Sequence, residues 1–355
     1  MKIVSARCWK ENLELTKPYT ITYTTVSAVE NFFVAIELAD GTLGFGAGAP
    51  ADYVTGEDFA ASFETLSTQL EPLLLGKDIR QFSNILRQIR EVLAAFPAAR
   101  AAIDIALYDA FSKHLGVPLA AYLGKVHEGL PTSITIGIKS LEATLAEAAE
   151  DVALGFQIIK LKVGLDVEKD IEVFRKLRET VGPAIKIRVD ANQGYSLADL
   201  LRFVEGTRTA EVEFIEQPFK AGQYAQMLQA PEAVRLLCAA DEDLHYAADA
   251  MRMAIPPQPY GIYNIKLMKC GGVNESLHIA EAAQRFGIGL MWGCMDESII
   301  SISAALHAAL ASPATRYLDL DGSFDLARDV VSGGFVLKNG SLYLTDKPGL
   351  GVERV

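Results

Sequence analysis

The chain has 355 residues, half of them apolar and 22% charged, with a formal net charge of −12. That apolar content excludes a disordered chain, and the acidic balance argues against nucleic acid or an anionic membrane surface as a partner. The length predicts about two domains, or one large α/β barrel with an accessory domain.

Cys8, Cys238, Cys270 and Cys294 are scattered, with no CxxC pair and no zinc-finger spacing, so reduced thiols are expected rather than a disulfide scaffold or a structural zinc. The opening residues, MKIVSARCWKENLEL, lack the apolar core of a signal peptide. No stretch reaches the roughly 18 uncharged apolar residues of a membrane span. A soluble, cytoplasmic protein is therefore expected, with a homo-oligomer left open.

In chain order, residues 31–48 (NFFVAIELADGTLGFGAG) alternate apolar and polar around Asp40-Gly41, which predicts a β-hairpin. Helical patterns follow near 56–74, 79–93 and 98–115, the last stopped by Gly116 with Pro118 just beyond. Gly44, Gly46 and Gly48 resemble a nucleotide loop only superficially. No helix start with phosphate-binding spacing follows them, and a flexible loop is expected there.

From about residue 130 the rhythm changes. Short β-branched runs alternate with helical stretches: TSITIGI (132–138), IIKLKV (158–163), KIRVDAN (186–192), EFIEQP (213–218), LLCAADE (236–242), YNIKL (263–267), IGLMWGC (288–294) and YLDLD (317–321). From the second run onward, successive strand ends fall 25–30 residues apart, one strand–helix unit each. Eight such strands predict an α/β fold of the (β/α)8 type. A doubly wound open sheet is the competitor, but it usually has fewer strands and a glycine fingerprint after the first. GSFDLARDVVSGG, after the last strand, is too short for a clear helix, and residues 335–355 read as a hairpin that returns to the N-terminal domain.

In a parallel barrel, chemistry comes from the carboxyl ends of different strands. Those ends carry Lys160 and Lys162, Asp190 and Asn192, Glu216, Asp241 and Glu242, Lys266, Asp319 and Asp321. Charges within apolar runs are costly to bury unless paired or bound to metal. Asp190, Glu216 and Asp241, on three consecutive strands, would form an all-oxygen site suited to one Mg²⁺; solvated acids or salt bridges to the lysines are the alternative. Lys160 and Lys162 lie two apart on one strand and point the same way. Lys266 lies across the barrel. Lysines on both sides of a metal-held substrate suit a two-base reaction, and their crowding next to a dication is expected to lower a lysine pKa.

The KxK pair Lys160-Leu161-Lys162, Asp190 in VDANQGY, Glu216 in FIEQP, Asp241 in AADE and Lys266 in NIKLMKCGG together resemble the enolase superfamily, in its muconate-lactonizing-enzyme subgroup. The resemblance implies a modified TIM barrel over residues 126–322. It also implies an N-terminal α+β capping domain over 1–125, completed by the C-terminal segment 323–355. Asp319-Leu320-Asp321 is similar to the DxD motif of that subgroup's dipeptide epimerases, where the acids receive a substrate α-ammonium. A dipeptide substrate and a 1,1-proton transfer at the α-carbon of its C-terminal residue, through a metal-stabilised ene-diolate, are thus implied. Lys162 and Lys266 would be the two bases and Lys160 a contact for the substrate carboxylate, with Asn192 and Glu242 as supports.

The relatives that act on L-Ala-L/D-Glu carry an arginine in the first capping loop; here the matching position is Thr24, with Lys17 the only cation nearby. Thr135, Cys294, Asp296 and Asp52 are further candidates for substrate contact, with Asp52 and Asp296 as turn caps the alternative. The missing arginine and the acids predict apolar or basic side chains rather than glutamate. N-acylamino-acid racemase and o-succinylbenzoate synthase or cycloisomerase, of the same superfamily, are alternatives, and a metal-free Schiff-base aldolase is the alternative of another class.

Overall fold

The computed structural model describes residues 1–16 and 29–355 in full, and the backbone alone of 19–21 and 24–26. The chain opens with β1 (Ile3–Asn12), a short hairpin of β2 (Tyr19–Ile21) and β3 (Thr24–Val26), then β4 (Glu30–Leu38) and β5 (Leu43–Gly48). β4 is the centre of an antiparallel sheet ordered β1-β4-β5, and the predicted Asp40-Gly41 turn joins β4 to β5. Helices α1 (Asp52–Thr55), α2 (Phe59–Leu74), α3 (Phe82–Val92), α4 (Pro97–His114) and α5 (Leu119–Leu123) complete this cap, close to the predicted helices.

The glycine-rich run proves to be the edge strand β5 rather than a flexible loop. Its glycines recur at period two and so share one face, and that face lies directly on the backbone of α4. A Cβ on Gly46 would sit 1.9 Å from the Ala102 carbonyl oxygen, and one on Gly44 would sit 2.4 Å from that of Ala106. Helix and strand meet this closely because the strand has hydrogens, and the helix alanines, at the contact.

The remainder is the barrel. Strands β6 (Gly129–Pro131) and β7 (Ile134–Ile136) lead into α6 (Leu141–Ala153), β8 (Ile158–Lys162), α7 (Val167–Val181), β9 (Lys186–Asp190) and α8 (Leu197–Thr207). Next come β10 (Ile215–Glu216), α9 (Glu232–Leu236), β11 (Cys238–Ala240), α10 (Ala247–Ala254) and β12 (Ile262–Ile265). The series ends with α11 (Leu267–Cys270), α12 (Val273–Phe286), β13 (Gly289–Gly293), α13 (Ile299–Leu310) and β14 (Thr315–Asp319). Strands β7 to β14 pair in sequence order as one eight-stranded parallel sheet, and the Thr132–Leu318 bridge joins its two ends. These are the eight predicted strands, and no helix follows the last. Arg188 is fully buried inside the barrel, stacked on Phe214 and Tyr317 at 4.8 and 5.3 Å, with its charge met by Glu213 at 2.8 Å. Trp292 is fully buried in the core, with its indole N–H donating to Thr315 Oγ1 at 2.9 Å.

The tail contains β15 (Val331–Gly333), β16 (Phe335–Lys338), β17 (Ser341–Leu344) and β18 (Val352–Arg354). It returns to the cap through Gly349, bonded to Val117 and Leu119, and through the Leu350 N–H, which donates to Asp109 at 2.8 Å. The hairpin itself adds to β6 beneath the barrel instead, because β6 offers it an unpaired edge. Among the described residues no helix is long and apolar enough to cross a membrane.

Since the backbone of α4 leaves no space over β5, Gly46→Ala is expected to cost about 1–3 kcal/mol. Chemical denaturation should show this as a lower midpoint with an unchanged slope.

Candidate active site

The carboxyl ends of the barrel strands bring the predicted charges together under the cap. β8 carries Lys160 and Lys162 on one face, as period two requires. Lys160, 3% exposed, sits among three carboxylates: Asp319 at 2.8 Å, Glu216 at 2.7 Å and Asp190 at 3.1 Å. Lys162 donates to Asp190 at 2.7 Å, and Lys266, which follows β12 and is the N-cap of α11, donates to Asp241 at 2.7 Å. Each candidate base is thus paired with a different one of the three candidate metal acids.

Those acids end β9 and β10 and follow β11, and all are buried. Burial opposes ionisation of Asp190, but Lys162 and Lys160 outweigh it and hold the carboxyl down at about 2. Asp241, likewise opposed by burial, is held well below the usual carboxylate range by Lys266 and Lys269. Glu216 is pushed up to about 7 by burial and by Asp190 beside it. The lowered lysine pKa expected from the sequence is for lysines crowded beside a bound dication. Here burial does disfavour the ammonium of Lys266, but Asp241 and Glu216 overcome it and hold the group well above its ordinary value.

Among the described residues no three His, Cys, Asp or Glu side chains stand together as a ready-made ligand cluster, since lysine nitrogens lie between these carboxylates. The donor set nevertheless fits a hard divalent cation. It is all oxygen, drawn from neighbouring strands, and it includes buried acceptors without hydrogen bonds: Glu216 Oε2, Glu242 Oε2 and Asn192 Oδ1. Glu216 Oε2 meets Lys160 only as an ion pair. The other Glu242 oxygen accepts from Gln193 at 3.0 Å, and burial together with Asp241 and Asp190 pushes its carboxyl up to about 8. Asn192 supports Asp190 through its backbone N–H, at 2.9 Å. Asp243 is excluded from such a site, because Gln217, the Gly222 N–H and the Tyr260 hydroxyl occupy its oxygens.

Asp319 and Asp321 reach the same mouth with different partners. Lys160 and Ser133 hold Asp319, and Lys160 outweighs burial to keep its carboxyl low. Asp321 accepts the Thr135 backbone N–H at 2.8 Å, and burial and the Asp319 charge push it up to about 7. Cys294 donates to the Asp319 carbonyl at 3.1 Å and accepts the Gly322 N–H at 3.3 Å. Both acids, Thr135, Cys294, Asp296 and Asp52 line one cavity of about 730 Å³ between cap segment 49–59 and the barrel mouth. The side chain of Thr24, and Lys17, lie outside the described residues.

Some partners have no place in the sequence reading. Lys269 is fully buried, with its ammonium on the Asp241 carboxylate and carbonyl. It lies one helical turn beyond Lys266 inside an apolar run, and that was the available signal. Asn264 donates to Glu216 at 2.6 Å; it precedes Lys266 by two residues, so strand periodicity marks it. Gln217 accepts the backbone N–H of Asp241 at 2.9 Å, and its backbone lies at φ 32°, which no local pattern announces.

Residues 3–124 match the mandelate racemase / muconate lactonizing enzyme N-terminal domain, and residues 143–354 match the enolase C-terminal domain-like family. The chain is 55% identical to an L-Lys-D/L-Arg epimerase of Desulforapulum autotrophicum, over all of both chains. A Bacillus subtilis L-Ala-D/L-Glu epimerase is 31% identical, over 99% of this chain and 97% of that one. Among solved structures, the dipeptide epimerase of Methylococcus capsulatus, complexed with Mg and the dipeptide L-Arg-D-Lys, matches with a TM-score of 0.97 at 51% identity over 99% of each chain. The chain therefore belongs to the mandelate racemase / muconate lactonizing enzyme family, with an enolase-type barrel beneath its cap.

Proposed function

We propose that this chain is a Mg²⁺-dependent dipeptide epimerase, an isomerase that inverts the α-carbon of a dipeptide's C-terminal residue, with basic side chains preferred. The observation that carries the proposal is the pairing of Lys162 with Asp190 and of Lys266 with Asp241, from separate strands of one mouth. Asp190, Glu216 and Asp241 would hold the cation. When bound, it supplies the positive charge that lets a substrate carboxylate carry the second negative charge left by a departing α-proton.

The chain's own groups handle the proton. Asp190 and Asp241, two of the three carboxylates that would take the cation, are the partners of Lys162 and Lys266, so their engagement elsewhere would loosen both ion pairs and leave an amine able to act as base. One lysine takes the α-proton from its face, and the other, as ammonium, returns one to the opposite face. Lys160 offers its charge to the substrate carboxylate, and Asp321, beside Asp319, offers an acceptor to the α-ammonium. An N-acylated substrate brings no ammonium there, which favours the free dipeptide over the acylamino-acid alternative.

The cavity supports basic side chains. Asp52 and Asp296 line it, as do Glu147, Glu150 and Asp151 of α6 and Asp325, with Lys139 among them. A side-chain carboxylate would meet repulsion from most of these groups, whereas a lysine or arginine side chain would be attracted. Basic residues are also those named for the 55% identical relative. A cytoplasmic location goes with this reading and is supported by four cysteines without disulfide partners.

Incubation of pooled L,L-dipeptides with the protein and Mg²⁺ in D₂O should add one mass unit to each peptide whose α-proton exchanges. Labelling should be fastest with C-terminal Lys or Arg and should vanish with EDTA. Labelling that survives EDTA, or a pool that stays unlabelled, would overturn the assignment. Lys162→Ala and Lys266→Ala should each lower net epimerisation by about 10²–10⁴-fold. Each should retain α-proton exchange for one stereoisomer only, read by mass spectrometry of separated isomers; full activity in both would refute two-base chemistry.

A further inference from the structure

The segment that carries Lys266 is gripped from the cap. Immediately after Lys266 the chain forms the single turn α11, closed by the Cys270 N–H donating to the Lys266 carbonyl at 3.2 Å. Gly271 and Gly272 then turn the chain into α12, with φ of 88° and 113°. Both glycines lie flush against two side chains of the cap helix α4. A Cβ on Gly271 would sit 2.2 Å from Arg100 Nε, and one on Gly272 would sit 2.4 Å from Asp104 Oδ1.

These contacts carry hydrogen bonds as well as packing. Arg100 Nη2 donates to the Cys270 carbonyl at 3.0 Å, so one bond leads from Arg100 to Cys270 and the next from Cys270 to Lys266. Asp104 Oδ1 accepts the Val273 N–H at 2.6 Å at the start of α12. Arg100 and Asp104 are 6% and 3% exposed, and the Arg100 guanidinium also stacks on Tyr246 at 5.3 Å. From the other side, the Ala49 N–H of the cap contacts Met268 Sδ at 3.2 Å. Lys162, by contrast, ends β8, which is held between β7 and β9 in the barrel sheet.

We propose that Arg100 and Asp104 are positioning residues for Lys266: by holding both ends of the Gly271–Gly272 turn, the cap sets where one of the two bases stands relative to the substrate α-carbon. The proposal rests on the two-base reading above. It predicts a fault confined to one face of the substrate, because loosening this turn moves Lys266 and leaves Lys162 in place.

The test uses the full chain at saturating Mg²⁺ with L-Lys-L-Lys and L-Lys-D-Lys, and reads the initial rate of α-deuterium incorporation into each isomer. Asp104→Ala and Arg100→Met should shift the ratio of the two rates by about tenfold or more, as expected for a misplaced reacting group. The shift should run in the same direction as that of Lys266→Ala. Asp104→Asn, which keeps the Oδ1 acceptor, should restore the wild-type ratio. If Asp104→Ala does not fold, Arg100→Lys, which keeps the charge but not the planar donor at Cys270, is read in the same way. Rates that fall equally for both isomers, or do not change, in variants that still bind Mg²⁺ by calorimetry would overturn the positioning role. A Lys266→Ala protein that slows both isomers equally would instead show the two-base reading to be at fault, and the proposal would fall with it.

Discussion

Asp190, Glu216, Asp241 and Asp319 are buried at one end of the barrel together with Lys160, Lys266 and Lys269, and none of these charges would be stable there alone. Removing one partner from such a set typically costs about 3–5 kcal/mol, because the other is left charged and dry. The mouth is therefore a single electrostatic unit. Its members are covalently distant, so only the closed eight-stranded sheet holds them together. The fully buried Arg188, stacked and paired deeper in the barrel, and the cap above confine this unit to one layer.

The cap supplies the other half of the constraint. Its glycine strand β5 lies on α4 with no space for a side chain, which fixes α4 relative to the cap sheet. The same helix reaches down to the barrel through Arg100 and Asp104, and Asp109 on it accepts the N–H groups of Phe45 and Leu350. One helix thus joins cap strand, barrel turn and chain terminus through buried polar groups. Such bonds are directional, and they fix a relative placement that apolar packing alone would leave free to slide.

How much of this is legible in the sequence follows from which signals are local. A charge inside a β-branched run stands out wherever it occurs, so Lys160, Asp190, Glu216, Asp241 and Lys266 can be read directly, and their spacing carries the barrel with them. Lys269 escapes because it sits in a single helical turn, where strand periodicity no longer says which way a side chain points. Gln217 escapes because its backbone is held at positive φ by tertiary contacts. The glycines of β5 mislead for a related reason: close approach of a helix and a flexible loop call for the same residue, and only the position of α4 tells them apart.

The division of labour between Asp319 and Asp321 shows why identical residues two apart need not be equivalent. Period two points both at the mouth, but Asp319 faces Lys160 and Ser133 across the barrel seam, whereas Asp321 has passed the end of β14 and meets a backbone N–H. Lys160 therefore keeps Asp319 ionised, and that fixed negative charge raises the carboxyl of its neighbour. A cationic group arriving at the mouth would reverse this shift in Asp321, because it compensates the repulsion from Asp319. The pair is thus suited to a ligand that brings its own positive charge, and a neutral or anionic group in the same place would leave Asp321 with the repulsion unrelieved.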